Sequence, residues 1–313
     1  MFFAMKIKNF LFHRVNPVRD ALWDPMDVAL FDKTIKYITD KYLVRTIEDI
    51  VLNGYEQKSK RPIATISFDD GYKDNIEYAA PILTKYNCPA SFYVVTSSID
   101  NNYPTWTYVL EYLFQHTNKL TISLQHAALP QGMRVSKWAN KAERISYVKK
   151  LKPFLKKLTH VQREEILSVI EGNFDDVEVP QLMMNWDDVR QLRAAGFVIG
   201  SHSHTHPMLG TIADRSIVAN ELEISASKIH KALGESPLAI SYPIGSYTQE
   251  TIELSKKAGY KLGLAVHQKF YETSNDDIFA IPRTELYNES WLKTLSRING
   301  SLELVKTLTK MLR

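Results

Sequence analysis

Two clusters of polar residues in this 313-residue chain have the types and spacing needed for metal-assisted hydrolysis. Asp69 and Asp70 are adjacent carboxylates followed by Gly71, and residues 200–207 (GSHSHTHP) place three imidazoles within five positions. One carboxylate of such a pair can bind a divalent ion while the other takes a proton from an attacking water. Two imidazoles and one carboxylate leave coordination positions for water and substrate, as a catalytic site requires.

The spacing of the histidines indicates which of them share an ion. His202 and His206 are four residues apart, so in a helical turn they lie on one face and His204 points away. In an extended strand, His202 and His204 would share a side instead. Pro207 and the intervening serine and threonine favour the turn. We therefore predict that His202 and His206 bind the ion.

The aspartate pair also has a simpler interpretation, because Asp-Asp-Gly alone is a common loop or helix-start sequence. Successive side chains of a strand point to opposite faces. Both carboxylates can therefore face one pocket only if the strand has ended in a turn, which Gly71 permits. The histidine cluster, which also follows an apolar run, favours the metal interpretation of the pair.

The ends of buried strands would position these residues. Residues 63–68 (IATISF) and 90–96 (ASFYVVT) are β-rich apolar runs, and residues 75–86 between them have helical spacing. Strand, helix and strand at this spacing predict a βαβ unit with parallel strands. The alternation favours a (β/α) barrel or an open parallel sheet. Its other predicted elements are a strand at 10–15, helices at 28–42 and 185–196 (capped by Asn185), a strand at 197–200, a helix at 216–233, a strand at 238–242, a helix at 249–258 and a strand at 261–266.

Residues from about 101 to 180 interrupt the alternation and have a mainly helical pattern, with a capping box at Thr159 and Gln162. We interpret them as an insertion on the strand-end side of a single domain, residues 1–313, where loops shape substrate sites. Trp106 within it is a candidate for stacking on a substrate ring, although buried aromatic residues are commoner. Residues 301–312 (SLELVKTLTKML) predict an amphipathic helix that closes the barrel.

A run of lysines in the insertion is typical of a solvated face. The alternative is attraction to an anionic membrane surface or to a pyrophosphate-linked sugar carrier. The run consists of Lys137, Lys141, Lys149, Lys150, Lys152, Lys156 and Lys157.

Composition excludes several classes of protein. The net charge of +4 is too small to argue for a nucleic-acid partner. A single cysteine, Cys88, excludes an intramolecular disulfide and a thiolate metal cluster, and we interpret it as a buried packing thiol. The N-terminal residues do not have the pattern of a cleavable signal peptide, and no apolar run reaches membrane-spanning length. We expect a cytoplasmic enzyme, at the inner face of the membrane if the basic insertion makes peripheral contact.

Three segments together resemble the polysaccharide deacetylase (NodB-homology) family, carbohydrate esterase family 4. They are TISFDDGYKDN, GSHSHTHPML and AISYPIGSY, in the family's order and with appropriate intervening lengths. The resemblance covers nearly the whole chain, and it implies a distorted (β/α) barrel of about seven parallel strands. It also implies hydrolysis of the acetamide of an N-acetylated sugar to acetate and a free amino sugar.

The resemblance assigns a role to each matching residue. One divalent ion is implied, with zinc as the default and cobalt, nickel or iron as alternatives, because imidazole and carboxylate suit all of them. Pro243 is a candidate substrate contact, although a strand followed by a Pro-Gly turn explains that segment equally well. The matches are Asp69 as general base, Asp70, His202 and His206 as metal ligands, Tyr242 as the residue whose backbone N–H holds the oxyanion, and Arg283 as the arginine that orients Asp69.

Two histidines are candidates for the general acid. The family usually takes its acid from a histidine near the end of the domain, which here is His267. Residues 10–15 (FLFHRV), however, resemble the Tyr-His-Arg-Val opening of a circularly permuted branch whose acid comes from the first strand. That branch includes poly-N-acetylglucosamine deacetylases and enzymes of surface-glycan pathways. We favour His13, and His267 remains the alternative.

The chain departs from the family pattern at two places. The arginine that often precedes the Tyr-Pro segment is absent from residues 239–241 (AIS), and Ile244 replaces an aromatic or polar residue.

The expected substrate is a surface polysaccharide or a lipid-linked glycan precursor. The alternatives are an amidase acting on a non-sugar amide and a carbohydrate-binding protein without turnover, although the complete set of candidate ligands argues against the latter.

Overall fold

The computed structural model describes residues 6–54 and 60–301. Its strands are β1 (Lys6–Phe12), β2 (Leu43–Val44), β3 (Ile63–Phe68), β4 (Ser91–Val94), β5 (Thr121–Ser123), β6 (Val135–Lys137), β7 (Val198–Ser201), β8 (Ala239–Ser241), β9 (Leu262–Leu264), β10 (Tyr271–Glu272) and β11 (Thr284–Glu285). The C-terminal helix predicted for residues 301–312 lies outside the described residues, apart from Ser301.

Seven parallel strands make up the main sheet of the described chain, in the spatial order β11, β1, β3, β4, β7, β8 and β9. The two-residue β2 adds in parallel to β3, and β10 adds antiparallel to β1. A parallel bridge between Leu264 and Ile281 leads from β9 towards β11, so the sheet curls back on itself. The predicted distorted (β/α) barrel is confirmed.

The register of the first strands fixes where their last residues lie. Phe12, Phe68 and Phe92 are direct neighbours across β1, β3 and β4. Their rings stack with centroid distances of 5.3 Å and 4.8 Å. All six residues of β3 are buried, as expected for a parallel strand covered on both faces. The residues that directly follow Phe12 and Phe68, His13 and Asp69, therefore emerge at the same edge of the sheet.

Helices surround the sheet, and several of them begin at a residue whose side chain caps the first turn. The predicted N-cap at Asn185 and the predicted capping box at Thr159 are confirmed, and Cys88 lies in the core as predicted. The helices are α1 (Val28–Lys41), α2 (Ile47–Asn53), α3 (Ala80–Lys85, preceded by a π-helical turn, Asn75–Ala79), α4 (Thr96–Asn101), α5 (Trp106–His116), α6 (Gln131–Arg134), α7 (Lys141–Leu155), α8 (His160–Asn173), α9 (Trp186–Ala194), α10 (Arg215–Leu233), α11 (Gln249–Lys257) and α12 (Trp291–Asn299).

The segment between α4 and α9 packs around a hydrophobic cluster of its own. Leu110 and Phe114 of α5, Leu151 of α7 and Ile166 of α8 are all buried in this cluster. The antiparallel pair β5–β6 closes one side of it. In the part of the chain that the structure describes, every helix is too short or too polar to cross a bilayer.

Candidate active site

A left-handed turn at the end of β3 brings the two adjacent carboxylates into one cavity. Along the strand, Thr65, Ser67 and Asp69 share one face because side chains alternate. Asp70 would point to the other face, but it adopts φ 76° and Gly71 adopts φ 87°. Aspartate tolerates this conformation better than most residues. Both carboxylates consequently line the same cavity, as predicted, although the turn begins at Asp70 itself.

Asp70 faces both predicted histidine ligands. Its Oδ1 lies 3.3 Å from His202 Nε2 and 3.3 Å from His206 Nε2. The three ligand atoms lie within 4.8 Å of one another, and all three residues are buried. The structure thus brings together the set that the sequence singled out.

The donor set fits a divalent ion. Asp70 Oδ1 is buried and makes no hydrogen bond with the described residues, although two imidazole nitrogens surround it. His202 Nδ1 donates to the backbone oxygen of Ser241 at 2.7 Å, which leaves the lone pair of Nε2 directed towards Asp70. Two imidazoles and a carboxylate with further positions open are the donor set of a catalytic zinc-type centre. The same chemistry accommodates cobalt, nickel or iron.

The loop between the two histidines differs from the predicted helical turn. Ser203 adopts φ 65° and His206 adopts φ 63°, so the backbone forms a bend. Glu221 holds this bend by accepting hydrogen bonds from the backbone N–H groups of His204 and Thr205, at 2.9 Å and 2.8 Å. The prediction of a helical turn is wrong, because left-handed residues break the helical path, yet the bend still directs both rings to one point.

Asp69 is held in place by an arginine. Arg283 donates two hydrogen bonds to the carboxylate, Nη1 to Oδ1 at 2.8 Å and Nη2 to Oδ2 at 2.7 Å. Ser241 Oγ donates to Oδ2 at 2.9 Å. Burial alone would raise the pKa of Asp69, but the charge of Arg283 and the hydrogen bonds that it donates lower that pKa. Asp69 is therefore held ionised and in a fixed orientation.

His13 shares the cavity with the two aspartates. Its Nδ1 lies 3.3 Å from Glu285 Oε1. Burial would lower the pKa of His13, but the hydrogen bond to Glu285 and the charges of Glu285, Asp70 and Asp69 raise it to about 9. The imidazole is consequently held in its protonated form at neutral pH.

The alternative histidine lies elsewhere. His267 lines a separate, exposed depression together with Tyr247 and Asp276. Its Nε2 lies 3.3 Å from the hydroxyl of Tyr247. The structure therefore brings His13, and not His267, to the carboxylate pair.

The predicted role of Tyr242 is wrong. Its backbone N–H donates to the carbonyl of Leu264 at 3.0 Å as part of the parallel pairing between neighbouring strands, so it is not free to hold an oxyanion. Its ring stacks on Tyr247, away from the cavity. Two residues further on, Ile244 lines the cavity with φ 58°. The N–H of Ile244 makes no hydrogen bond within the described chain.

The two other predicted substrate contacts, Pro243 and Trp106, do not line the cavity either. Pro243 is buried and is not among the residues that line the cavity, whereas its neighbour Ile244 is. Trp106 packs against the hydrophobic cluster of the insertion, with Arg163 over its ring at 5.6 Å. The tryptophan that lines the cavity is Trp23, which packs edge-on to His13 with ring centroids 5.4 Å apart.

The cavity has two distinct parts. We call Asp69, Asp70, His202 and His206 the floor, which is delivered by the ends of β3 and β7. We call Thr107, Lys152 and Lys156 the wall, which belongs to α5 and to the C-terminal turn and cap of α7. The insertion therefore contributes directly to the cavity.

The family is established by sequence. A model of the polysaccharide deacetylase family matches residues 56–263, about two thirds of the chain. The chain belongs to the polysaccharide deacetylase family. A 77-residue segment is 32% identical to an uncharacterized 30.6 kDa protein in the fumA 3' region of Geobacillus stearothermophilus. That match spans 24% of this chain and 28% of the relative.

Solved structures share the fold over nearly the whole chain. The deacetylase PplD of Streptococcus pyogenes, solved in complex with acetate, superposes with a TM-score of 0.62 at 17% identity, covering 94% of this chain and 98% of PplD. A de-N-acetylase from Aggregatibacter actinomycetemcomitans gives 0.58 at 18% identity, covering 94% and 99%. At these identities the likeness shows a common fold.

Several cavity residues of this family member were missed from sequence. Glu285 lies far along the chain from His13, and only the pairing of β1 with β11 brings them together. Lys152 and Lys156 looked like members of a solvated run. Ile244 could have been found from its position. It lies between Pro243 and Gly245, in a sequence that predicts a tight turn directly after a strand.

Proposed function

We propose that this member of the family hydrolyses the acetamide of an N-acetylated sugar, in a glycan or a lipid-linked precursor, and that the reaction depends on a divalent ion. The observation that carries the proposal is the convergence of a buried Asp-His-His set, an ionised Asp69 and a protonated His13 on one cavity. Hydrolysis of an amide needs these three parts: an electrophilic centre, a base and an acid.

Asp70, His202 and His206 would hold the ion. When bound, a divalent ion supplies Lewis acidity that polarises the acetamide carbonyl and makes a neighbouring water more acidic. The hydrogen bond from His202 Nδ1 to Ser241 fixes the ring orientation that this requires. Burial of the set excludes bulk water, which strengthens the electrostatic interaction with the substrate.

The other residues move protons and hold charge. Asp69 takes a proton from the attacking water, and Arg283 keeps the carboxylate oriented for that transfer. The unbonded N–H of Ile244 is the candidate donor to the developing oxyanion. His13 then gives its proton to the departing amine, because an amide C–N bond cannot break with an amine anion as leaving group. Acetate and a free amino sugar are released.

The test is an acetate assay with purified protein and N-acetylglucosamine oligomers, before and after chelation and after adding back zinc, cobalt or nickel. We expect acetate release that chelation abolishes and a divalent ion restores. Release that is unaffected by thorough chelation would contradict the metal dependence. A non-sugar N-acetylated amine, tested in parallel, distinguishes the sugar deacetylase from a general amidase.

Cytoplasmic location and peripheral membrane contact remain predictions. The exposed lysines of the run, Lys137, Lys141, Lys149, Lys150 and Lys157, are the groups that could face an anionic membrane. Sedimentation with liposomes that contain or lack anionic lipid tests this contact. Equal sedimentation in both cases would leave a solvated face as the explanation.

A further inference from the structure

Two lysines of the insertion differ from the rest of their run. Lys152 and Lys156 line the cavity that contains Asp69 and Asp70, whereas Lys149, Lys150 and Lys157 are exposed. Positions 152 and 156 are four residues apart at the C-terminal end of α7, so the two ammonium groups lie on one helix face. The run is therefore divided between a face in solvent and a pair directed at the substrate cavity.

The two cavity lysines have different partners. Lys152 Nζ lies 2.7 Å from Glu111 Oε2, and both side chains are largely buried. Lys156 is half-buried, and its ammonium group forms no ion pair or hydrogen bond with the residues that the structure describes. Burial and the neighbouring charge of Lys152 lower the pKa of Lys156. Holding an unpaired cation in such a place is unfavourable unless a ligand pairs with it.

Three of the nearby carboxylates already have partners of their own, and Asp70 faces the two histidines of the candidate metal set. Asp69 already accepts two hydrogen bonds from Arg283, and Glu285 pairs with His13. Glu111 is paired with Lys152. The cation at Lys156 is thus left facing the cavity with no fixed anion assigned to it.

We propose that Lys156, supported by Lys152, recognises a negative charge carried by the substrate close to the N-acetylated sugar. This inference rests on the proposed function and narrows its substrate class to anionic glycans. A phosphate ester on the sugar and the carboxylate of a neighbouring uronic acid both supply such a charge. A flexible ammonium group pairs with either as a point charge.

The test compares acetate release from three substrates: a neutral N-acetylglucosamine oligomer, N-acetylglucosamine 1-phosphate, and a disaccharide of glucuronic acid and N-acetylglucosamine. Each is assayed with the wild type, Lys156→Gln, Lys156→Arg and Lys150→Gln. Lys150 is exposed on the same helix and serves as the matched control.

We expect kcat/KM to be higher for at least one anionic substrate than for the neutral oligomer. Lys156→Gln should reduce that kcat/KM about ten-fold, mainly through KM, and should affect the neutral oligomer much less. Lys156→Arg should restore most of the loss, Lys150→Gln should have no effect, and added salt should weaken the preference. The anionic substrate that responds identifies phosphate or carboxylate as the recognised group.

Three outcomes would overturn the inference. Equal use of neutral and anionic substrates would remove the need for an anion site. An equal loss on all substrates in Lys156→Gln would show that Lys156 only balances the carboxylates of the cavity. Acetate from none of the three substrates would contradict the proposed function itself, whereas the first two outcomes leave that function standing.

Discussion

The floor and the wall of the cavity are built in different ways. The four floor residues are at most 3% exposed, and Asp69 is fixed by three hydrogen bonds from Arg283 and Ser241. Of the two lysines in the wall, by contrast, only Lys152 has a fixed ion-pair partner among the described residues. A rigid floor suits bond breaking, which needs fixed geometry, and a looser wall suits selection among substrates. Substitutions in the floor should therefore affect every substrate, and those in the wall should change substrate preference.

The largest effect should follow from removing a candidate metal ligand. His206→Ala deletes one of the two imidazole nitrogens that face Asp70 Oδ1, so we expect loss of bound metal and of activity on all substrates. Metal content after dialysis and acetate release are the two measurements. His204→Ala is the matched control, because His204 lies in the same bend but contacts Thr96. Retention of both bound metal and turnover in His206→Ala would contradict the assignment of His206 as a metal ligand.

Removing the candidate acid should have the next largest effect. We expect His13→Ala to lower kcat about 10²- to 10⁴-fold, because the amine would leave without a proton. His267→Ala should leave kcat nearly unchanged, since His267 lies in a separate depression. A larger loss at His267 than at His13 would reverse the assignment.

A smaller effect is expected when the orientation of the base is disturbed. Arg283→Lys keeps the positive charge but loses the bidentate hydrogen bonding to the Asp69 carboxylate. We expect kcat to fall about 10- to 100-fold with metal content unchanged. Full activity in a correctly folded Arg283→Lys protein, checked by circular dichroism, would show that orientation by Arg283 does not matter.

The smallest effect is a shift of the pH profile. His13 must carry its proton to act as an acid, so activity should fall as the pH rises through the His13 pKa. Glu285 helps to raise that pKa to about 9, and a bound cation would lower it somewhat. Glu285→Gln should therefore move the alkaline limb of the profile to lower pH.

The control for this shift is Glu165→Gln. Glu165 also pairs with a histidine, His126, at 2.8 Å, but on the surface of the insertion and away from the cavity. The profile of Glu165→Gln should match that of the wild type. An unchanged alkaline limb in Glu285→Gln would mean that His13 does not determine it.

Much of the fold could be predicted because local signals agreed with the long-range structure. The strand that ends just before Asp69 and the helices capped at Asn185 and Thr159 all have patterns that short segments determine. The convergence of Asp70 with His202 and His206 was predictable for a related reason. Parallel strands deliver the residues that follow them to the same edge of a sheet.

The rest depended on features that a single sequence does not encode locally. Left-handed φ angles occur at Asp70, Ser203, His206 and Ile244, none of which is a glycine, so no glycine in the sequence indicates them. The backbone N–H of Tyr242 was misassigned because only strand pairing shows that Leu264 accepts from it. The direction of Lys156 depends on how α7 packs against α5, which spacing within one helix cannot determine.

The most direct test of the central claim separates metal binding from turnover in one variant. Asp69→Asn removes the base but leaves the three candidate ligands in place. The protein should still bind one equivalent of a divalent ion, yet release acetate from an accepted N-acetylated sugar at least about 10²-fold more slowly than the wild type. An Asp69→Asn protein that binds the ion and deacetylates at the wild-type rate would contradict the assignment of Asp69 as the base.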